Sequence, residues 1–339
     1  MSTSMATPAP QGVALELHQV GKVYAQEPDW IARMLRRLGV VVQDYRLVAV
    51  HDVNLQIAPG EMLGLVGESG CGKSTLGRIV SGLRAPSSGA VHYKGVRVDA
   101  AGTRLPARER LKIQMVFQDP MASLNPRRRV GELIAEGAVY HGLWTRSEAA
   151  QRVADLLVEV GLDPSHARRY PHQFSGGQRQ RIAIAQALSV NPDVLVCDEP
   201  VAALDVSIQA QVLNLLMELR RRRNLTCLFI SHDLAVIRHL CDRVAVMYLG
   251  RIVEIAPARS IFDDARHPYT RALLGEILRI DGGRRQFTPI QGELPSPLHP
   301  PGGCAFHPRC VKASDVCRIE APPLRAHDGA RAVACHHPG

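Results

Sequence analysis

Short runs of alternating or wholly apolar residues punctuate this chain, and longer stretches with helical spacing separate them. Val13 to Val20 alternates apolar and polar residues as a half-buried strand does, and it ends in Gly21-Lys22-Val23-Tyr24. In the arginine-rich segment 27–45, Trp30, Ile31, Met34, Leu35 and Leu38 fall at helical spacing. That pattern reads as a helix laid on a surface or as a dedicated partner-binding element. Strand character returns over Leu47 to Ile57, and Met62 to Val66 is apolar throughout, bounded by Pro59-Gly60 as a buried strand would be. Leu76 to Leu83 is compatible with a helix. Gly89 to Val98 predicts an antiparallel strand pair turning near Gly95, and Ile113 to Phe117 is apolar enough for a core strand. Helical patterns dominate from Val130 to Val160 and stop at Gly161-Leu162-Asp163-Pro164.

The second half repeats the alternation of element types. Arg179 to Val190 predicts a helix, Asp193 to Cys197 a buried strand, Val206 to Arg223 a helix, and Thr226 to Ile230, Val244 to Tyr248 and Ile252 to Ile255 strands. Strands alternating with helices imply an α/β fold whose mainly parallel sheet is covered on both faces. The helical block between strand-rich regions implies an inserted helical subdomain over about 120–190, with the Gly89 to Val98 pair in a separate antiparallel β subdomain. After His267-Pro268-Tyr269-Thr270 a last helix runs to about Ile280. Residues 281–339 are rich in Pro, Gly and Cys with little periodicity, so they read as an appendage and not as more sheet.

Composition changes this picture little. With 339 residues, 46% of them apolar and 22% charged, the chain has room for a large domain plus a smaller one and is neither a fibre nor wholly disordered. No run approaches the roughly 18 apolar residues of a membrane span, and Met1 to Gly12 lacks the regions of a signal peptide. The expectation is a cytoplasmic protein that can dock on a membrane protein. The net charge of +9 raises the question of nucleic acid, but the arginine clusters are short (Arg36-Arg37, Arg127 to Arg129, Arg220 to Arg223) and aromatics make up only 4%. Solvated surface, or attraction to an anionic membrane leaflet, accounts for them better, and no nucleic-acid partner is expected.

The chemistry centres on Gly67-Glu68-Ser69-Gly70-Cys71-Gly72-Lys73-Ser74-Thr75, which has the form G-x-x-x-x-G-K-S between a predicted strand and a predicted helix. Backbone N–H groups of such a turn converge on phosphate oxygens, and the following helix points its positive end at them. Lys73 would neutralise the β and γ phosphates, and the Ser74 hydroxyl would sit on Mg²⁺. Hydrolysis needs more. Asp198, at a strand end, can hold the Mg²⁺ through water, while Glu199 beside it can act as general base on the attacking water. Gln118 ends a neighbouring strand and can reach metal and water, and His232 follows the next strand, placed for a γ-phosphate. Each alone would pass as a surface acid, a turn glutamine or a capping histidine. Together they sit at the carboxyl ends of strands, where α/β sheets bind ligands.

With these motifs the chain, over roughly residues 13–260, resembles an ABC-type P-loop ATPase. Gly67 to Thr75, Gln118, Ser175-Gly176-Gly177-Gln178, Cys197-Asp198-Glu199, Leu204-Asp205 and His232 look like its Walker A, Q-loop, signature, Walker B, D-loop and H-loop. In that family two cassettes pack head to tail, so the resemblance implies that Ser175, Gly176, Gly177, Gln178 and Asp205 serve the ATP of an opposing subunit, and that Tyr24 stacks on adenine. A structural core tyrosine is the competing reading of Tyr24. Three positions depart from the pattern: Phe174 stands where leucine is usual, Ala203 where serine is common, and Gln186 where arginine is usual.

Further stretches are similar to the cytoplasmic ATPases of oligopeptide and dipeptide importers: Val116 to Pro120, Ser123 to Pro126, Tyr170 to Phe174, Asp205 to Val212, His267 to Thr270 and Gly292 to Pro297. The last two carry the resemblance into an extension over 261–339. It implies a peripheral subunit at the cytoplasmic face of the inner membrane. Its partners would be a paralogous ATPase (or a second copy), two integral membrane permease subunits and, indirectly, an extracytoplasmic substrate-binding protein. A soluble ABC ATPase acting on DNA or ribosomes is the alternative, against which stand a single cassette and the absence of a long heptad run.

Of eight cysteines, Cys71, Cys197, Cys227 and Cys241 lie in or beside core elements and read as small apolar residues. Cys304, Cys310, Cys317 and Cys335 crowd the last 36 residues at spacings C-x5-C-x6-C-x17-C. In a reducing compartment four thiolates in a loose tail are a candidate metal cage. Such a set suits zinc or an iron–sulfur cluster, or it is a set of free thiols. The resemblance to importer tails favours a [4Fe–4S] cluster.

Overall fold

The computed structural model describes residues 12–25, 34, 46–98, 107–275 and 292–339. The surface-helix reading of 27–45, Met34 aside, and the end of the last helix near Ile280 lie outside these residues.

Five strands form a parallel core. β1 (Leu15–Ala25) and β2 (Arg46–Ile57) precede β3 (Met62–Val66), which leads into α1 (Lys73–Val80). The hairpin β4 (Ser88–Tyr93) and β5 (Val96–Arg97), the short α2 (Ala107–Arg110) and β6 (Ile113–Val116) follow. A helical block comes next: α3 (Pro120–Ser123), α4 (Val130–Tyr140), α5 (Arg146–Glu159) and α6 (Gly176–Leu188). The core resumes with β7 (Val194–Asp198), α7 (Val206–Arg223), β8 (Thr226–Ile230), α8 (Leu234–Leu240), β9 (Arg243–Tyr248) and β10 (Arg251–Pro257). α9 (Ala258–Asp263), α10 (Pro268–Gly275), α11 (Asp315–Ile319), β11 (Arg325–Ala326) and β12 (Ala332–Val333) complete the order. The main sheet runs β11-β12-β10-β9-β3-β8-β7-β6, and a second sheet runs β2-β1-β4-β5. β9, β3, β8, β7 and β6 are mutually parallel, and the second sheet is antiparallel, as expected from the sequence.

The apolar runs are buried on both faces because the sheet is covered on both faces. Leu63 and Leu65 of β3 join Val194, Val196, Leu228, Ile230, Ala245 and Met247 in a core beneath α1 and the small sheet. Met62 and Val66 join Leu195, Cys197, Cys227, Phe229, Val244 and Val246 in the core shared with the helical block. Cys71 is buried in the first of these cores and Cys197, Cys227 and Cys241 in the second, all as small apolar residues, and burial pushes the Cys227 thiol up to about 12. The β4–β5 turn is left-handed at both Lys94 (φ 48) and Gly95 (φ 79), which matches the twist of the paired strands. Thr145 and Glu148 form a reciprocal cap at the start of α5.

The tail corrects the sequence reading in one respect. β12 pairs antiparallel with β10, Glu254 opposite Val333 and Ile255 opposite Ala332, and β11 pairs with β12. The C-terminal residues therefore do extend the main sheet. Their strands are two residues long, too short to show a period. Nor is this tail loose: the fully buried Glu254 carboxylate accepts from Arg266 N (2.8 Å) and His267 N (3.0 Å), with Arg331 Nη1 3.9 Å away.

His267 sets a pH limit on this arrangement. Its Nδ1 accepts from Tyr269 N at 3.0 Å, and burial lowers the imidazole to about 4, with the Ala334 backbone opposing the shift. The unfolded chain, near the ordinary histidine value of about 6.5, takes up the proton first. Stability therefore rises with pH between about 4 and about 6.5, and acidification through that window costs about 3 kcal/mol. In denaturant titrations across these pH values, His267→Asn is expected to flatten that limb; an unchanged slope would assign the acid sensitivity elsewhere.

Candidate functional site

The sheet order brings the chemistry-bearing residues to one edge. Leu65 of β3 is level with Ile230 of β8, Ile230 with Asp198 of β7, and Cys197 with Val116 of β6. The loop Gly67 to Gly72, the pair Asp198-Glu199, His232 and Gln118 thus all leave the carboxyl ends of adjacent parallel strands.

Gly72, at φ 108, caps α1, and a Cβ there would lie 2.1 Å from Ala49 O. Gly67, at φ 154, has no room either: its Cβ would lie 2.1 Å from Met247 O. The Cys71 side chain turns into the core, while Ser69 and Gly70 are exposed and Ser74 and Thr75 half-buried at the start of α1. Lys73 is buried, its ammonium donating to Gly67 O (2.7 Å) and Glu68 O (3.0 Å), so the positive charge is held over the loop. The Ser74 hydroxyl donates to Asp198 Oδ1 at 2.9 Å. Burial pushes the Asp198 carboxyl above its usual range against that bond, and the neighbouring Glu199 charge adds to the rise. Two hard oxygen donors side by side, one a desolvated carboxylate, fit a small divalent cation.

Glu199 has a left-handed backbone (φ 47), held by its N–H donating to Ile230 O at 3.0 Å, and its Oε2 lies 3.2 Å from His232 Nδ1. A non-glycine residue held there is a cost that functional sites tolerate. The imidazole is 63% exposed and the carboxylate 17%, so one face of the pair meets solvent. Gln118 is exposed just beyond β6. Tyr24 is half-buried at the end of β1, opposite Leu47 of β2 and so two residues along from the Ala49 carbonyl that abuts Gly72, with Lys22 Nζ 5.4 Å from its ring centre.

Ser175 to Gln178 stand on the helical block. Ser175 caps α6, its Oγ accepting from Gln178 N (3.3 Å) while Gln178 Oε1 accepts from Ser175 N (3.0 Å). Gly177 sits against α7, where a Cβ would lie 2.3 Å from Ile208 Cγ2, and a Cβ on Gly176 would lie 3.1 Å from Leu204. Asp205 precedes α7 and is exposed. Phe174 is buried, edge-on to the His166 ring, so the larger side chain has found its space.

Sequence reasoning missed the residues that grip the loop from outside. Glu68 N donates to Tyr269 Oη (2.9 Å), and Arg309 binds the Glu68 carboxylate. Arg309 is 241 positions away, beyond any local pattern.

Comparison with known proteins shows the family. Residues 50–202 match the family described as ABC transporter, and residues 253–317 match the oligopeptide/dipeptide transporter C-terminal region. The chain is 47% identical over 334 residues to the oligopeptide transport ATP-binding protein AppF of Bacillus subtilis, spanning 97% of this chain and 99% of that one. It is 46% identical to the dipeptide transport ATP-binding protein DppF of Haemophilus influenzae, spanning 88% of this chain and 92% of that one. Among solved structures, cbiO1 from Clostridium perfringens, part of the ABC transporter complex cbiONQ, aligns with a TM-score of 0.61 at 27% identity over 75% of this chain and 92% of that one. A dimeric ATP-binding cassette in a post-hydrolysis state bound to ADP and Pi aligns with a TM-score of 0.61 at 28% identity over 72% and 99%.

The metal-cage reading of the tail is overturned. Among the described residues no group of three or more His, Cys, Asp or Glu side chains is disposed to hold a metal ion, and the similar proteins are described simply as transport ATP-binding proteins. Burial raises the Cys304, Cys310 and Cys335 thiols, the last to about 11. Cys310 Sγ accepts from Lys312 N (3.4 Å), Cys335 Sγ from His337 N (3.3 Å), and Cys317 Sγ lies 3.6 Å from Ser314 Oγ. Neither an iron–sulfur cluster nor zinc fits this set.

Proposed function

Since the chain belongs to the oligopeptide and dipeptide ABC importers as their ATP-binding, ATP-hydrolysing subunit, we propose the following division of labour among its residues. The turn Gly67 to Gly72 and the α1 amino end receive the ATP phosphates, with Lys73 as their counter-charge. Ser74 and Asp198 hold Mg²⁺, assisted by Gln118. When bound, the ion neutralises developing phosphate charge. Glu199 accepts a proton from the attacking water, and His232, 3.2 Å from it, orients the carboxylate and faces the γ-phosphate. Tyr24 offers its ring to the adenine.

Two ATPase subunits act together and move a membrane permease. The α6 amino end, Ser175 to Gln178, and Asp205 complete the nucleotide site of the opposing subunit. The contact of Gly177 with Ile208 supports this, since it locks the α6 end to the start of α7 as one rigid edge. We assign the opposing subunit to a paralogous ATPase, the permease to two integral membrane chains, and peptide capture to an extracytoplasmic binding protein. Among the described residues no helix is long and apolar enough to cross a membrane. We assign the protein a peripheral position on the cytoplasmic face of the inner membrane, in keeping with its similarity to importer ATP-binding proteins.

The observation that carries this reading is the Ser74–Asp198 contact of 2.9 Å beneath the buried Lys73, with Glu199 and His232 on the same sheet edge. Affinity capture of the full chain from detergent-solubilised membranes, with subunits identified by mass spectrometry, is expected to return two integral membrane chains and a second ATPase. Recovery of the chain alone, with salt-sensitive DNA binding that stimulates its ATPase, would favour the soluble alternative.

A further inference from the structure

Glu68 is the second residue of the phosphate loop, and its side chain is held by the C-terminal extension. Arg309 Nη1 donates to Glu68 Oε2 at 2.8 Å and Nη2 to Oε1 at 3.0 Å, a two-pronged guanidinium–carboxylate contact. The Arg309 side chain is 5% exposed, and its Nη1 also lies 3.5 Å from Tyr248 Oη. Phe306, three residues earlier, packs on Tyr248 (5.3 Å between ring centres) and on Tyr269 (5.4 Å). Tyr269 Oη accepts from Glu68 N at 2.9 Å. Glu68 is thus fixed at its amide by α10 and at its carboxylate by the tail.

The grip reaches the charge that faces phosphate. The same Glu68 carbonyl accepts from Lys73 Nζ (3.0 Å) and from Cys71 N (3.3 Å). Arg309, Glu68 and Lys73 form one continuous hydrogen-bonded path from the extension to the cradle. A loop free to sample other shapes must be ordered when a ligand arrives, and that ordering subtracts from affinity. A loop already clamped has no such loss.

We propose that Arg309, with Tyr269, is a positioning residue for ATP: by holding Glu68 it pre-orders the phosphate loop, so that the C-terminal extension sets nucleotide affinity. This rests on the ATPase reading above. The extension then has a task in the cassette's own chemistry in addition to closing the sheet.

The test uses the full chain, with MgATP binding by calorimetry and steady-state ATPase. Arg309→Ala is expected to weaken MgATP binding about tenfold and to raise KM, while kcat at saturating ATP changes much less. Arg309→Lys, which keeps the charge but not the fork, should fall between. Glu68→Ala should match Arg309→Ala, and the double variant should be no weaker than either single one, because both remove one interaction. An Arg309→Ala protein that binds MgATP as tightly as the parent, effects of the two substitutions that simply add, or a loss of kcat together with melting temperature at unchanged KM would each overturn the inference. A parent chain that binds no ATP, and that Lys73→Ala leaves unaltered, would instead reject the nucleotide site itself.

Discussion

Glu199→Gln is expected to lower ATP turnover by about 10²–10⁴-fold while ATP binding is retained. The amide keeps the size of the side chain and can still meet His232, 3.2 Å away, and the Glu199 N–H bond to Ile230 O holds the strained backbone in place. Only the basicity needed to take a proton from water is removed. Phosphate release at saturating ATP, read beside nucleotide titration of the same sample, separates the two effects. Turnover at the parent level would reject Glu199 as the base.

Lys73→Ala is expected to weaken ATP binding about tenfold to a hundredfold, the range for losing a charged hydrogen bond to an anion. Two losses combine. The phosphates lose a buried cation, and the Gly67 and Glu68 carbonyls lose the ammonium that bridges them at 2.7 and 3.0 Å. Circular dichroism should show the variant folded, since the loop is also held from outside through Glu68. ATP titration of that folded sample decides the matter; unchanged affinity would remove Lys73 from the phosphate site.

What could be read in advance follows from what is local. β3, β7 and β8 are five-residue strands, wholly buried, and their apolar composition alone announces a central parallel sheet. Residues placed just after such strands must share an edge, so Gln118, Asp198, Glu199 and His232 were legible together with Lys73 and Ser74. The short strand β12 was not legible, because two residues have no period and its partner β10 lies far back in the chain. The Arg309–Glu68 contact spans 241 positions and has no local trace. For the tail cysteines, spacing says where the sulfurs enter the chain but not whether they converge, and burial had the larger say in their protonation. In the signature stretch the motif shows two glycines, while the need for their missing side chains comes from Ile208 and Leu204, contributed by a later turn and helix.

The pairing of Glu254 with Val333 also sets an order of events during synthesis. β10 emerges while its outer neighbour is still untranslated, and at ribosomal rates of about 5–20 residues per second that neighbour arrives seconds later. For that interval the cassette presents an unpaired edge, the kind of surface on which nascent chains join one another. Completion of the outer sheet, and with it the Arg309 grip on the loop, therefore comes later than the pairing of β10 with β9.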